Sequence, residues 1–328
     1  MPPSTLPPTR RALLAGLAAL PLAAALPGGA RAAAPLQVVA TTSMIADLAR
    51  MIGGGRLAVA ALMGPGVDPH AYRQTRTDIV KMARADLVLA NGLYLEAQME
   101  EFLDELSARR PVLAVAEASI PEGLRLGSED YAGRWDPHVW MDPALWSRLV
   151  PTLQARLSEL DPEGAADYAA GAEATAQTLL RLDAYAREVL ASVPQERRAL
   201  VSAHDAFRYF GRAYGFEVMG IQGISTESEA GLARIEELVG LLVARGIPAV
   251  FVESSVPERN VRALIEGAQA RGHAASVGAE LFSDAMGLPG TYEGTYPGMI
   301  DHNVTAVARA LGGNAPARGM DGRLSAGL

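Results

Sequence analysis

Histidine is scarce in this chain, with five among 328 residues, at positions 70, 138, 204, 273 and 302. An imidazole titrates near neutral pH and is the commonest nitrogen ligand for transition metals, so each position can carry chemistry. Two of the five share an unusual tripeptide, Asp68-Pro69-His70 and Asp136-Pro137-His138. Proline fixes its own φ and drives the preceding residue toward extended backbone, so the histidine that follows is carried on a stiff stem. The aspartate two residues upstream is placed to orient an imidazole. His204 follows a run that reads as a strand. Any one of these histidines, taken alone, is better explained by packing or by exposure than by ligand duty. The repeated tripeptide in a histidine-poor chain leaves the metal and packing readings evenly matched. No His-Glu-x-x-His is present and there is no cysteine, so spacing alone does not establish a metal site. No Gly-x-Ser-x-Gly elbow, phosphate loop or dinucleotide fingerprint appears either. Glu253 ends an apolar run and is a further polar candidate, either orienting a ligand or bonding nearby backbone. His273, in a polar turn, and His302, near the C-terminus, read as structural or surface residues.

These residues need elements to position them. Runs 36–42, 57–63, 86–90 and 112–115 are apolar and strand-like, and helical periodicity falls at 43–53, 76–85 and 94–109. Ser43 is nominated as the cap of the first helix. Such alternation predicts an α/β lobe built on a parallel sheet. A second lobe repeats the logic, with strands at 199–203, 217–221, 248–253 and 274–277 and helices at 205–214, 229–245, 257–271 and 299–311. In α/β sheets, ligand groups gather at the carboxyl ends of strands, where His70 and His204 are predicted to sit. Between the lobes, the stretch from Pro162 to just before Pro194 reads as one long helix, about 45 Å from end to end. The boundaries expected are 33–160 for the N-terminal lobe, 161–194 for the linking helix and 195–313 for the C-terminal lobe. The Gly- and Arg-rich stretch 314–328 is expected to fray as a flexible tail.

Composition narrows the function classes. Hydrophobic residues make up 49% and charged residues 20%, which suits a folded protein with a sizeable core. A formal net charge of −8 with no basic stripe excludes a nucleic-acid partner. The absence of cysteine removes disulfides, thiol catalysis and the attachment point of a lipoprotein anchor. Arg10 and Arg11, the apolar run 12–26, the breaker Pro27-Gly28-Gly29 and the small-residue site Ala30-Arg31-Ala32 predict that residues 1–32 form a signal peptide. Thr9-Arg10-Arg11-Ala12-Leu13-Leu14 partly matches a twin-arginine signal. The exported chain is therefore expected to be periplasmic, with no membrane anchor.

With these pieces in order, the sequence resembles the solute-binding proteins of zinc and manganese ABC importers, the cluster with the TroA-like fold, and within it the TroA branch. The resemblance runs from about residue 37 to 312. It is carried by ATTSMIADLARMIGG (40–54), LMGPGVDPHAY (62–72), ADLVLANGLYLE (85–96), DPHVWMDP (136–143), SAHDAFRYFGRAYGF (202–216), IQGISTESEAG (221–231), FVESSVPERNV (251–261) and the blocks within 280–303. It implies four metal ligands, His70, His138, His204 and Asp284, two from each lobe. It implies one Zn2+ (or Mn2+) per chain as transported cargo, a membrane permease with its ATPase subunit as partners, a monomer, and a linking helix that keeps hinge motion small. Three imidazoles and one carboxylate suit zinc. Manganese-selective relatives usually place a carboxylate at the position of His204, so zinc is favoured. The histidine-rich loop of many zinc-specific members is missing, since 121–135 contains no histidine. The alternatives are a zinc-dependent hydrolase, against which four protein ligands leave no open position for water, and an adhesin-like secondary role.

Overall fold

The structure is a computed structural model that describes residues 34–127, 131, 133–227 and 230–325. The expected signal peptide, 1–32, lies outside the described residues. The first half runs β1 (Leu36–Ala40), α1 (Ser43–Gly53), β2 (Leu57–Ala61), α2 (Arg76–Arg84), β3 (Leu87–Ala90), α3 (Glu100–Ser107), β4 (Val112–Ala114) and α4 (Val115–Ser119). Its strands form one parallel sheet in the order β2-β1-β3-β4. Every residue of β3 is buried, as expected of a central parallel strand covered on both faces.

Helices α5 (Pro143–Trp146), α6 (Leu149–Leu160) and α7 (Ala165–Ala191) follow. Pro162 opens a short 3-10 turn, and Asp161 caps it by accepting the Gly164 N–H at 3.2 Å. The long helix α7 then runs 27 residues, about 40 Å at 1.5 Å per residue. It packs along α1, α6 and α11. Gly171 lets it approach α1 so closely that a Cβ there would overlap the backbone of Ile52.

The second half runs β5 (Ala199–Ser202), α8 (Arg208–Tyr214), β6 (Glu217–Gly220), α9 (Leu232–Arg245), β7 (Ala249–Glu253), α10 (Arg259–Ala270), β8 (Ser276–Leu281) and α11 (Tyr296–Ala310). Its strands pair in parallel as β5-β6 and β7-β8, with β5 running beside β7. The largest apolar cluster is shared by both halves. It joins Val38, Ile45 and Leu89 through Leu179 and Leu182 of α7 to Phe251 and Val304. Two lobes of parallel α/β structure sharing one long helix is the fold class that the sequence predicts.

Four local expectations change. Thr42, not Ser43, caps α1, with its side chain accepting the Ile45 N–H at 3.5 Å. Ser43 is already helical and its hydroxyl faces the Met286 N–H instead. The helix expected at 94–109 begins only at Ala97 as a 3-10 turn, because Gly92, Leu93 and Tyr94 all take positive φ and break the helix there. The strand expected at 274–277 shifts to 276–281, since His273 Nε2 bonds the Ile247 carbonyl at 2.7 Å and 273–275 turns. The stretch 314–325 lacks regular elements but does not fray. Leu324 is fully buried, Met320 N–H donates to Asp301, and Ser325 N–H donates to Glu293.

Candidate metal centre

The sheet of the first half delivers His70. After β2, Leu62 N–H and Met63 N–H continue the ladder onto the carbonyls of Ala40 and Thr41. The Gly64-Pro65-Gly66 turn then reverses the chain, with Gly66 at φ 71°. Asp68 Oδ1 accepts the His70 N–H at 2.9 Å and closes a tight turn that carries the ring inward. Asp136 does the same for His138 at 3.0 Å, and its Oδ1 also takes ring Nδ1 at 2.8 Å. The loop around His138 is tied to β3 by Asn91, whose Nδ2 donates to the Pro137 carbonyl at 3.2 Å. Asn91 is held in turn by the buried Glu96, which accepts its N–H at 2.7 Å and the Thr41 hydroxyl at 2.6 Å.

His204 leaves the carboxyl end of β5. Glu253, at the carboxyl end of β7, accepts its backbone N–H at 2.8 Å and faces its Nδ1 at 2.5 Å. Of the two roles open for Glu253, the geometry gives both, one oxygen on the backbone of His204 and the other on its imidazole. Asp284 follows β8, and its neighbour Ser283 is pinned where the Trp140 indole donates to the Ser283 carbonyl at 2.8 Å.

All four of these side chains are buried, at 1%, 0%, 0% and 2% exposure for His70, His138, His204 and Asp284. His70 Nε2 and His138 Nε2 are 3.2 Å apart, and His138 Nε2 and His204 Nε2 are 3.4 Å apart. Asp284 presents one oxygen to each of two histidines, Oδ1 at 3.3 Å from His138 Nε2 and Oδ2 at 3.2 Å from His204 Nε2. One ligand atom from each of the four residues fits within 4.8 Å of the others. Ligands on a tetrahedral zinc at about 2.0–2.1 Å stand about 3.3 Å from one another. The four short separations match that edge.

Proton placement points the same way. A carboxylate at Nδ1 holds the proton there, so when each ring gives up its second proton, Nε2 of His138 and of His204 is the atom that turns a lone pair inward. Burial by itself lowers the His138 pKa, but the hydrogen bond and charge of Asp136, then those of Asp284, overcome it and raise it to about 9. His204 is likewise raised well above the usual range, with burial opposed by the charges of Glu253 and Asp284. His70 falls to about 3, driven by burial against Asp284, with His138 and His204 adding to the fall. Asp284 is held well below the usual carboxylate range, because His204 and His138 outweigh its burial. Asp284 Oδ1 makes no hydrogen bond among the described residues, although His138 Nε2 is near it. In the metal-free protein two charged imidazoles balance Asp284, and a divalent cation would take the place of their Nε2 protons.

His273 and His302 lie apart from this group. Each bonds a backbone carbonyl, His302 Nε2 that of Glu280 at 2.9 Å. The sequence missed Asn91 and Glu96. The signal available was a glutamate and an asparagine flanking a Gly-Leu-Tyr turn at the end of an apolar strand.

Residues 38–310 match the family described as zinc-uptake complex component A, periplasmic. The chain belongs to this family. Among curated members it is 48% identical to the zinc-binding protein TroA of Treponema pallidum, covering 84% of this chain and 88% of that one. It is 46% identical to the manganese-binding lipoprotein MntA of Bacillus subtilis, covering 84% and 90%. The solved structure of the periplasmic zinc-binding protein TroA from Treponema pallidum superposes with a TM-score of 0.82 and spans 84% of this chain and 99% of that one. Members of this family are metal-binding transport receptors and not enzymes.

Proposed function

We propose that the chain captures one divalent transition-metal ion through His70, His138, His204 and Asp284, and delivers it to an ABC importer made of a permease and an ATPase subunit. The observation that carries this reading is the convergence of three imidazoles and one carboxylate, all buried, with ligand atoms within 4.8 Å of one another. Zinc is the favoured cargo, because three imidazoles make the site nitrogen-rich. Manganese is the second reading, favoured by Asp284, which turns an oxygen toward each of two histidines and so can raise the coordination number. Two relatives of nearly equal identity are named for different metals, so similarity does not choose between them.

The lobes are taken as 33–160 and 195–313, joined by 161–194, with two ligands supplied by each. The receptor is read as a periplasmic monomer without a lipid anchor. That reading rests on a sequence without cysteine, and no helix among the described residues is long and apolar enough to cross a membrane. The test is a competition titration of zinc against manganese on the purified protein and on His204→Glu. One ion per chain is expected, with zinc preferred, and the preference should narrow in His204→Glu as an imidazole gives way to an anionic oxygen donor. Two equivalent strong sites, or a wild-type preference for manganese that His204→Glu leaves unchanged, would contradict the reading.

A further inference from the structure

Asp284 lies near the start of the 282–295 loop between β8 and α11. The near end of that loop is fixed by the core. Asn303 accepts the Phe282 N–H at 2.9 Å and donates to its carbonyl at 2.7 Å. Beyond Asp284 the loop closes on itself through the Gly287 N–H, which donates to the Glu293 carbonyl at 2.9 Å. The far side of that closure meets the C-terminal stretch. Glu293 Oε1 accepts the Ser325 N–H at 2.6 Å, and the Arg323 guanidinium stands 4.3 Å from the centre of the Tyr292 ring.

The C-terminal stretch is itself held firmly. Arg318 Nε donates to the Leu324 carbonyl at 3.0 Å and the Leu324 N–H returns to the Arg318 carbonyl at 3.2 Å, with Leu324 fully buried. Both carboxylate oxygens of Asp301, on α11, lie within 3.0 Å of the Met320 nitrogen. Gly319, at φ 72°, allows that approach, since a Cβ there would overlap the Asp301 carboxylate. Arg318, Gly319, Met320 and Leu324 lie past 310, where the family match ends.

We infer that residues 314–325 form a strap that holds the Asp284 loop closed on the site and so sets the rate at which metal leaves. The inference rests on Asp284 being a ligand, as proposed above. Ser283, Asp284, Ala285 and Met286 are buried while 287–292 is half-buried or exposed, and ties at the far end of such a loop lower the population of its locally opened forms. Metal leaves when Asp284 swings away, so loosening the ties raises the dissociation rate more than the association rate.

The test is capture of zinc by excess chelator in a stopped-flow instrument, using the full chain, a chain ending at Gly313, Glu293→Ala and Glu293→Gln. The melting temperature of each metal-free form is measured beside it. The truncated chain should release zinc at least about tenfold faster. Glu293→Ala, which deletes one acceptor and leaves the Asp301 tie in place, should release it about threefold to tenfold faster, the range expected for one hydrogen bond. Glu293→Gln keeps an oxygen for the Ser325 N–H and should return to within about twofold of wild type. If truncation prevents folding, the Glu293 pair carries the test alone. Release from Glu293→Ala at the wild-type rate, whatever its melting temperature, would overturn the strap. A wild-type chain that holds neither zinc nor manganese would overturn the metal reading itself, and the strap with it.

Discussion

At 136–138 a single aspartate oxygen takes both the backbone N–H and the ring Nδ1 of His138. At 68–70 the corresponding oxygen takes only the backbone N–H of His70, and the other oxygen reaches the Thr226 hydroxyl at 2.5 Å, in the opposite half of the molecule. His70 Nδ1 has no hydrogen-bond partner among the described residues. The tripeptide therefore fixes the same backbone turn twice and assigns its carboxylate twice over, once to orient an imidazole and once to bridge the halves. The electrostatics follow the difference, with His138 raised to about 9 and His70 lowered to about 3. A short motif sets main-chain geometry, while the long-range neighbours decide what the side chain does.

Removing either imidazole should have the largest effect and should erase the contrast. His138→Ala and His70→Ala are each expected to weaken zinc binding by more than about 100-fold, beyond what loss of an orienting partner costs. Calorimetric titration reads this directly. His273→Ala and His302→Ala serve as controls that bind as wild type, since each ring bonds a backbone carbonyl and neither belongs to the ligand group.

Changing the aspartates should separate the two loops. Asp136→Asn removes the carboxylate that orients His138, and a loss of about 10-fold to 100-fold in affinity is expected. Asp68→Asn should change affinity by less than about threefold, because no carboxylate serves the His70 ring. Equal losses in the two variants would break the comparison.

A smaller effect is expected in the pH dependence. In the metal-free protein the His138 pKa stands raised from 6.5 to about 9. Its contribution to stability is therefore full below about 6.5 and is lost as pH rises through about 9. Bound metal needs unprotonated rings, so apparent affinity should rise with pH by up to about tenfold per pH unit for each displaced proton, one from His138 and a second from His204. The melting temperatures of loaded and metal-free protein should thus move apart as pH rises. Asp136→Asn should flatten this slope, because the largest influence raising the pKa is gone. A loaded-minus-free difference that shrinks with pH would show the proton to be elsewhere.

Much of this was legible in the sequence. Apolar runs and helical periodicity locate every strand of the first half and the long helix α7, because buried parallel strands and Pro-initiated helices leave local patterns. The set His70, His138, His204 and Asp284 could be named only through the family resemblance, since the gaps between them are closed by tertiary packing and no local spacing joins them. Glu253 could be flagged at a strand end, yet its partner, His204, lies on another strand. Asp68 shows the limit most clearly, since nothing near residue 68 points to Thr226. The tail misleads for a related reason. Its glycines and arginines look unstructured until Asp301 and Glu293, far back in the chain, offer acceptors for its backbone.

Anomalous scattering at the zinc edge from crystals of the zinc-loaded protein tests the central claim most directly. The account predicts one strong peak per chain, about 2.0–2.2 Å from Nε2 of His70, His138 and His204 and from an oxygen of Asp284. A peak elsewhere, or one at this place that leaves any of these four residues out of the coordination shell, would contradict it.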